Sequence, residues 1–257
     1  MGKPVVLPRL VFVKTWEREG FGQPHPIVGV DDYWLNAEAK RLLWKGVDEA
    51  LAEAGVADNG LLSPEFRRMI SVLAAGECEF YAWSSDTRSG ETGAVLVSMR
   101  GRDAVRLIRD DDVVLVDRIP ANRLPERFLQ VLPAVEGADL APIKVPKSAY
   151  SDRPPGKAEH YDLEIETRYA EAAPGERLRE LMRAERTGLH QMYAAVRDRR
   201  GRRWRSSPLS AIDLAESGRI LTFVSEPPNA EPEINCVSGT WSALVRTLDA
   251  TRIALEA

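Results

Sequence analysis

Residues 191–223 read QMYAAVRDRRGRRWRSSPLSAIDLAESGRILTF. Met192 to Val196 is a short apolar run of the kind a buried strand carries. Asp198-Arg199-Arg200-Gly201 supplies turn chemistry, with Asp able to accept from the backbone and Gly free to take positive φ. The chain leaves through Arg202, Arg203, Trp204 and Arg205, and Ser206 to Ser217 reads as a long Ser-Pro loop. Arg219 to Val224 then reads as a second strand. Six arginines (Arg197, Arg199, Arg200, Arg202, Arg203, Arg205) surround one tryptophan. Such a stretch is a chemical site, a nucleic-acid patch, or the decorated hairpin of a binding scaffold, and the surrounding sequence decides among them.

The chain has 257 residues, of which 44% are hydrophobic and 29% charged, a balance that supports a buried core. A formal charge of −4 argues against a molecule devoted to gripping polyphosphate. No run of apolar residues is long enough for a membrane span, and the opening MGKPVVLPRLVFVKTW lacks the pattern of a signal peptide. Two cysteines, Cys78 and Cys236, cannot make a disulfide framework, so a reduced, cytoplasmic setting is expected.

Upstream, Leu10 to Trp16 is apolar enough for a strand, although its Trp-Glu-Arg-Glu end also suits a short helix. Pro24 and Pro26 hold the chain extended around His25, and Ile27 to Val30 reads as a short strand. Asn36 stands at a helix N-cap position, followed by apolar residues at three- and four-residue intervals to Ala54 and closed by Gly55. Asp58-Asn59-Gly60 is a turn. Ser63-Pro64 opens another helix, with Ser at the cap and Pro at the first turn. Four strands follow, Glu77–Trp83, Gly93–Met99, Ala104–Ile108 and Val113–Val116, with turns short enough for antiparallel pairing. A helix begins near Pro120 or Arg123 and ends at Pro133. Residues 136–165, rich in Pro, Gly, Asp and Lys around Ser151–Gly156, read as a linker.

Downstream the plan recurs. Ala173-Pro174-Gly175 opens a helix, Gly188–Arg197 is a strand, the stretch quoted above supplies two more, and Ile234–Val237 is the fourth. Ser238 is expected to cap a closing helix containing Trp241, Leu244, Val245 and Leu248. Each half therefore reads helix, four strands, helix. The turn at Ser85–Gly90 corresponds to Asp198–Gly201, and Gly101-Arg102 to Gly218-Arg219. The expected organisation is an N-terminal half (1–135), a linker (136–165) and a C-terminal half (166–257), joined in one domain. Duplicated units can place their strands in one sheet about a quasi-twofold axis, which covers edges that would otherwise aggregate.

The string Val196 to Leu209, VRDRRGRRWRSSPL, followed by Asp213 and by Gly218-Arg219, resembles the C-terminal signature of the EspG family of type VII (ESX) secretion-associated proteins of actinobacteria. The order Trp16, helix, Leu61-Leu62-Ser63-Pro64, strand block and second half is similar too, so the resemblance spans nearly the whole chain. It implies an α+β fold, a central antiparallel or mixed sheet flanked by helical bundles in quasi-twofold halves. Within the signature, Arg197, Asp198, Gly201, Arg203, Pro208, Asp213, Gly218 and Arg219 are structural. It further implies a cytosolic, non-enzymatic chaperone that covers an apolar helix tip of a PE/PPE-like heterodimer and directs it to the ESX secretion machinery. Neither a cofactor nor a catalytic residue is implied, and a homodimer is left open.

The residues independently offer little chemistry. His25, His160 and His190 are scattered without ligand spacing, the cysteines sit in apolar stretches, and Asp110-Asp111-Asp112 is an acidic turn lacking further spaced oxygen ligands. A nucleic-acid regulator using the arginine hairpin 197–205 is the alternative. Alternation along a strand would split those arginines between two faces, and salt bridges to Asp and Glu would account for them. The expected protein-binding surface comprises the turn Ser85, Asp86, Thr87, Arg88, Ser89, Gly90 and Glu91, together with the loop Ser225, Glu226, Pro227 and Pro228.

Overall fold

A computed structural model describes residues 3–29, 34–151, 173–227 and 229–256. The linker centre from 152, His160 and Pro228 lie outside the described residues. One 11-stranded sheet is assembled from both halves. Its strands are β1 (Val5–Pro8), β4 (Cys78–Asp86), β5 (Thr92–Arg100), β6 (Asp103–Asp110), β7 (Val113–Ile119), β8 (Ile143–Pro146), β9 (Arg186–Arg197), β10 (Arg203–Arg205), β11 (Leu209–Leu214), β12 (Gly218–Ser225) and β13 (Glu233–Ser238). A separate hairpin pairs β2 (Ala57–Asp58) with β3 (Leu61–Leu62) across Asn59 and Gly60, both at positive φ. The order across the large sheet is β1-β7-β6-β5-β4-β9-β11-β12-β13-β8, with β10 paired to β9. All these strand pairings are antiparallel.

The two blocks meet at β4 and β9, which pair from Cys78↔Val196 to Asp86↔Gly188. Reading outward from that seam gives β5-β6-β7 on one side and β11-β12-β13 on the other, with β1 and β8 at the two edges. A quasi-twofold relation therefore passes through the seam, as the repeated plan predicts.

Helices cover both faces. Helices α1 (Arg9–Arg18), α2 (Ala37–Glu53) and α3 (Pro64–Ala74) cover the first block, burying Phe12, Trp16, Leu51, Phe66 and Ile70 against Leu96, Leu107, Val114 and Tyr193. On the same face of the second block, α6 (Pro174–Arg183) packs Leu178 over Val145, Ile212 and Ile220. The opposite face holds α4 (Leu124–Leu129) and α7 (Trp241–Glu256), which bring Phe128, Leu244 and Leu248 onto Phe80, Met192 and Leu221. Short α5 (Lys147–Ser151) follows β8. Asn36 caps α2 by accepting from Ala39 N at 2.8 Å, and Ser63 caps α3 by accepting from Phe66 N at 3.3 Å, as their positions predict.

Several expectations give way. Leu10–Trp16 is helix, not strand. Val11, Phe12, Thr15 and Trp16 recur at helical spacing on the buried side, which outweighs the β-branched bias of the run. Ile27–Val28 forms a 3-10 turn, Pro26–Val28, where Pro26 occupies the first position and His25 Nδ1 accepts from Ile27 N at 3.3 Å. The loop 206–217 contains β11, which both faces of the sheet bury, so its sequence shows no alternation. By composition residues 143–146 belong with the linker. Their outward Lys144 and inward Ile143 and Val145 make the edge strand β8, paired with β13. Ser238 ends β13, and Thr240 caps α7 by accepting from Ala243 N at 3.2 Å.

Candidate functional site

Where β4 ends and β9 begins, the sheet borders a cavity of about 530 Å³. Val95, Ile108, Val131 and Val135 line its apolar wall, and Asp86, Arg88, Glu91 and Arg109 stand at its rim. Its floor is polar. Ser84 Oγ lies 3.0 Å from His190 Nδ1, and His190 Nε2 lies 3.0 Å from Asp213 Oδ2. Arg219 donates to Asp213 through Nε (2.5 Å) and Nη2 (2.9 Å), and its Nη2 also donates to the Pro133 carbonyl at 3.0 Å. His190, Asp213 and Arg219 are all buried. Burial pushes the Asp213 carboxyl up, but the hydrogen bonds from Arg219 and His190 and the Arg219 charge outweigh it and hold it at about 2. The network is satisfied when His190 carries its proton on Nε2, donating to Asp213 while Nδ1 accepts from Ser84.

This chain of Ser, His and Asp is a brace. Both oxygens of Asp213 are committed to Arg219, and Ser84 sits within β4 with its backbone paired to β5 and β9. What the network does is tie four segments together: β4, β9, the β11-β12 hairpin and the stretch after α4.

The turn over the cavity is built by its own side chains. Asp86 Oδ1 accepts from Arg88 N (2.7 Å) and Ser89 N (3.0 Å), and these backbone bonds hold its carboxyl below the usual range. Gly90, at positive φ, donates to Asp86 O, and Thr87 hydrogen-bonds the backbone of Arg186 and Thr187. Ser85 is the last β4 residue paired with β5, opposite Thr92, and Glu91 N donates to Ser89 Oγ. The second expected segment stands elsewhere. Ser225 ends β12, where its Oγ accepts from Asn235 Nδ2 at 2.8 Å, and Glu226 and Pro227 follow. The registers put Ser225 at the end of the sheet opposite Asp86, with β9 and β11 between their strands. The two segments share no surface, because the β12-β13 loop is the twofold counterpart of the β6-β7 turn, which lies at the Asp86 end, and counterparts point in opposite directions.

The other face of the same seam is aromatic. Tyr81 and Tyr193 stack at 5.1 Å, Trp83 meets both edge-on, and His25 packs on Tyr81 at 4.7 Å. Arg203 reaches inward to pair with buried Glu79 at 2.8 Å and lies over Tyr81, while Arg205 lies over Tyr193. Burial pushes Glu79 up, with Arg203 opposing it. Burial and the neighbouring Arg203 charge push His25 down to about 3, so it is neutral. Cys78 and Cys236 are buried free thiols raised by burial to about 12 and about 11. Among the described residues, no group of three or more His, Cys, Asp or Glu is placed to hold a metal ion. No helix among them is long and apolar enough to cross a membrane.

The model of the EspG family matches residues 12–250 of the chain. The chain belongs to the EspG family. No curated protein matches it. Among solved structures, this EspG-family chain is similar to the Mycobacterium tuberculosis type VII secretion system chaperone EspG5, solved in complex with the PE25-PPE41 dimer. The TM-score is 0.66 at 16% identity, covering 97% of this chain and 96% of that one.

The residues that carried the family resemblance have identifiable structural tasks in this EspG-family chain. Asp198 Oδ1 accepts from Arg200 N and Arg202 N, and Gly201 takes a φ of 82°, which together close the β9-β10 turn. Arg197 donates from Nη1 to Gly201 O at 3.0 Å. Pro208 precedes β11, and Asp213 and Arg219 form the buried brace. Gly218 has φ +85°, and a Cβ there would lie 2.7 Å from Glu136 O. That glycine lets residues 136–138 run against β12, where Arg219 N donates to Glu136 O and Ala138 N to Arg219 O. Gly218→Ala is expected to cost roughly 1–3 kcal/mol through backbone strain and the close contact. Thermal unfolding of the variant beside wild type measures it.

None of the cavity floor was visible as a motif. Ser84 and His190 are separated by 106 positions and meet only through the β4-β9 register. The nearest sequence signal was the Asp213–Arg219 pair, which the family resemblance marked as structural without showing the partner histidine.

Proposed function

We propose that this EspG-family chain is a cytoplasmic, non-enzymatic type VII secretion chaperone. It binds a PE/PPE-like helical pair, covers an apolar helix tip and passes the pair to the ESX secretion machinery. The observation that carries the reading is family membership over residues 12–250, supported by likeness along the full chain to a chaperone solved with a PE-PPE dimer. We place the contact at the cavity beneath the turn Ser85–Glu91. Its half-buried Val131 and Val135 offer apolar surface to a helix tip, and the charged rim of Arg88 and Glu91 sets orientation. Both halves act as one unit in this reading, because the cavity draws walls from β5 and β6 and floor from β9 and β11.

Co-expression with a PE/PPE-like pair from the same genome, followed by affinity purification, tests it. Wild type captures the pair. Val131→Asp with Val135→Asp reduces capture at least tenfold, since burying an unpaired carboxylate against an apolar tip costs more than about 1.4 kcal/mol. Arg88→Glu with Glu91→Arg also weakens capture. Undiminished capture by both variants removes the site, whereas no capture of any such pair by wild type removes the function.

A further inference from the structure

The arginine hairpin is left unexplained by the cargo cavity, and the fold places it at the far end of the central seam. Asp86 and the cavity lie at one end of β4, and Cys78, paired with Val196, lies at the other. The nine residues of β4 run from one to the other, about 30 Å at the usual rise. The β5-β6 turn and the β9-β10 hairpin both project from this second end. Of the six hairpin arginines, Arg203 is drawn inward to Glu79 and Arg197 is half-buried. Arg100, Arg102, Arg199, Arg200, Arg202 and Arg205 are exposed, and no ion pair among the described residues neutralises them.

The carboxylates nearby are already engaged. Asp198 Oδ1 accepts from the turn backbone, Glu77 accepts from Gly101 N at 3.1 Å, and Glu256 pairs with Arg252 at 2.8 Å. A cavity of about 970 Å³ opens among these groups, lined by Arg100, Arg197 and Arg199 and by the apolar surfaces of Val196, Trp204 and Leu255. Arg197 Nε has no partner, and the Arg202 guanidinium stacks 3.8 Å from the Trp204 ring centroid, presenting a flat amphipathic platform.

We propose that this end of the sheet docks an acidic protein segment, one in which glutamate or aspartate flanks an apolar side chain. Guanidinium forks match carboxylates in paired geometry, and the Val196–Trp204–Leu255 wall takes the apolar residue. A nucleic acid would need a continuous basic track, and this surface is one compact, partly apolar cavity. Because the dock and the cargo cavity occupy opposite ends of β4, both can be filled at once. The dock does not depend on the cargo reading, which the capture assay tests separately.

Fluorescence anisotropy with a labelled octapeptide, Glu-Glu-Leu-Glu-Glu-Phe-Glu-Glu, tests the proposal on the full chain. The peptide is expected to bind at low ionic strength at least tenfold more tightly than its lysine counterpart and to weaken as salt is added. Arg100→Glu, Arg199→Glu and Arg202→Glu together are expected to lower affinity at least tenfold. Lys40→Glu, Arg41→Glu and Lys45→Glu on α2, with the same change in net charge, leave it within twofold. Equal binding of the acidic and lysine peptides, which needs no variant, overturns the proposal. So does equal loss in the two triple variants, or tighter binding of a single-stranded oligonucleotide than of the acidic peptide.

Discussion

Asp213→Ala is expected to destabilise the protein by roughly 3–5 kcal/mol, because it leaves Arg219 buried without its counter-charge. In a chain of this size that is a fall of about 10 °C in Tm. Arg219 is 4% exposed and cannot recover water in place of the carboxylate. Its remaining neighbours are the Pro133 carbonyl at 3.0 Å and His190 Nε2 at 3.4 Å, and His190 loses the carboxylate that sets its tautomer. The pH dependence carries a sign. A carboxyl held at about 2 instead of 3.8 stabilises the fold above the higher value, and that contribution disappears as pH falls through the lower one. The displacement corresponds to roughly 2 kcal/mol. Wild type therefore loses stability between about pH 4 and about pH 2 through this group, and Asp213→Asn flattens that limb. Chemical denaturation of the three proteins from pH 7 to pH 2 measures both effects. An Asp213→Ala variant within about 1 kcal/mol of wild type at pH 7 would remove the brace from the account of the fold.

Arg203→Met gives the second large effect, with the opposite dependence on pH. Glu79 is 2% exposed, and the guanidinium of Arg203 supplies its ion pair at 2.8 Å. Methionine retains much of the stem's volume over Tyr81 and removes the charge, so the carboxylate is stranded, at a cost of roughly 3–5 kcal/mol near neutral pH. Burial already pushes Glu79 up. Without Arg203 it rises further, and a raised carboxyl binds its proton more readily in the folded state. The variant consequently gains more stability than wild type as pH is lowered from 8 to 5, because Arg203 no longer opposes the rise. Adding Glu79→Gln to Arg203→Met is expected to recover more than half of the loss, since an amide can be buried at far lower cost than an unpaired charge. Denaturant midpoints for the single and double variants at pH 8 and pH 5 settle the sign.

These two ion pairs occupy the same seam on opposite faces. Glu79–Arg203 joins β4 to β10 beneath the aromatic group of Tyr81, Trp83 and Tyr193. Asp213–Arg219 joins the β11-β12 hairpin to β9 and to the stretch after α4. A seam between duplicated blocks buries two strands on both faces, so it must satisfy polar groups that an edge would leave to water. Each block also keeps its own closing helix, and α4 and α7 meet across the seam.

The twofold relation has a functional consequence. Equivalent turns of the two blocks point to opposite ends of the sheet, and here they have diverged in charge. The turn at Asp86–Glu91 closes on its own carboxylate above an apolar cavity. Its counterpart at Asp198–Gly201 uses a carboxylate in the same way, with Asp198 accepting from Arg200 N and Arg202 N, yet surrounds it with exposed arginines. The two proposals assign these two similar turn scaffolds to two different partners.

The sequence by itself determined the strongly patterned elements. Asn36 and Ser63 placed helix starts because capping is a local matter of one side chain and the next turn's N–H groups. The four strands from Cys78 to Ile119, the turn at Asp198–Gly201, the repeated plan and the EspG resemblance were likewise legible, since each depends on neighbours along the chain. Tertiary structure decided the rest. It made a helix of Arg9–Arg18, because packing of Phe12 and Trp16 outweighs β-branched propensity. It drew β11 out of a Ser-Pro loop, because a strand covered on both faces shows no alternation to read, and β8 out of a compositional linker, because four alternating residues become a strand only by pairing with β13. Above all it brought Ser84 to His190 and His190 to Asp213, and it separated Ser225 from Asp86. Strand register and a twofold relation set those distances, and neither is written in any short stretch of residues.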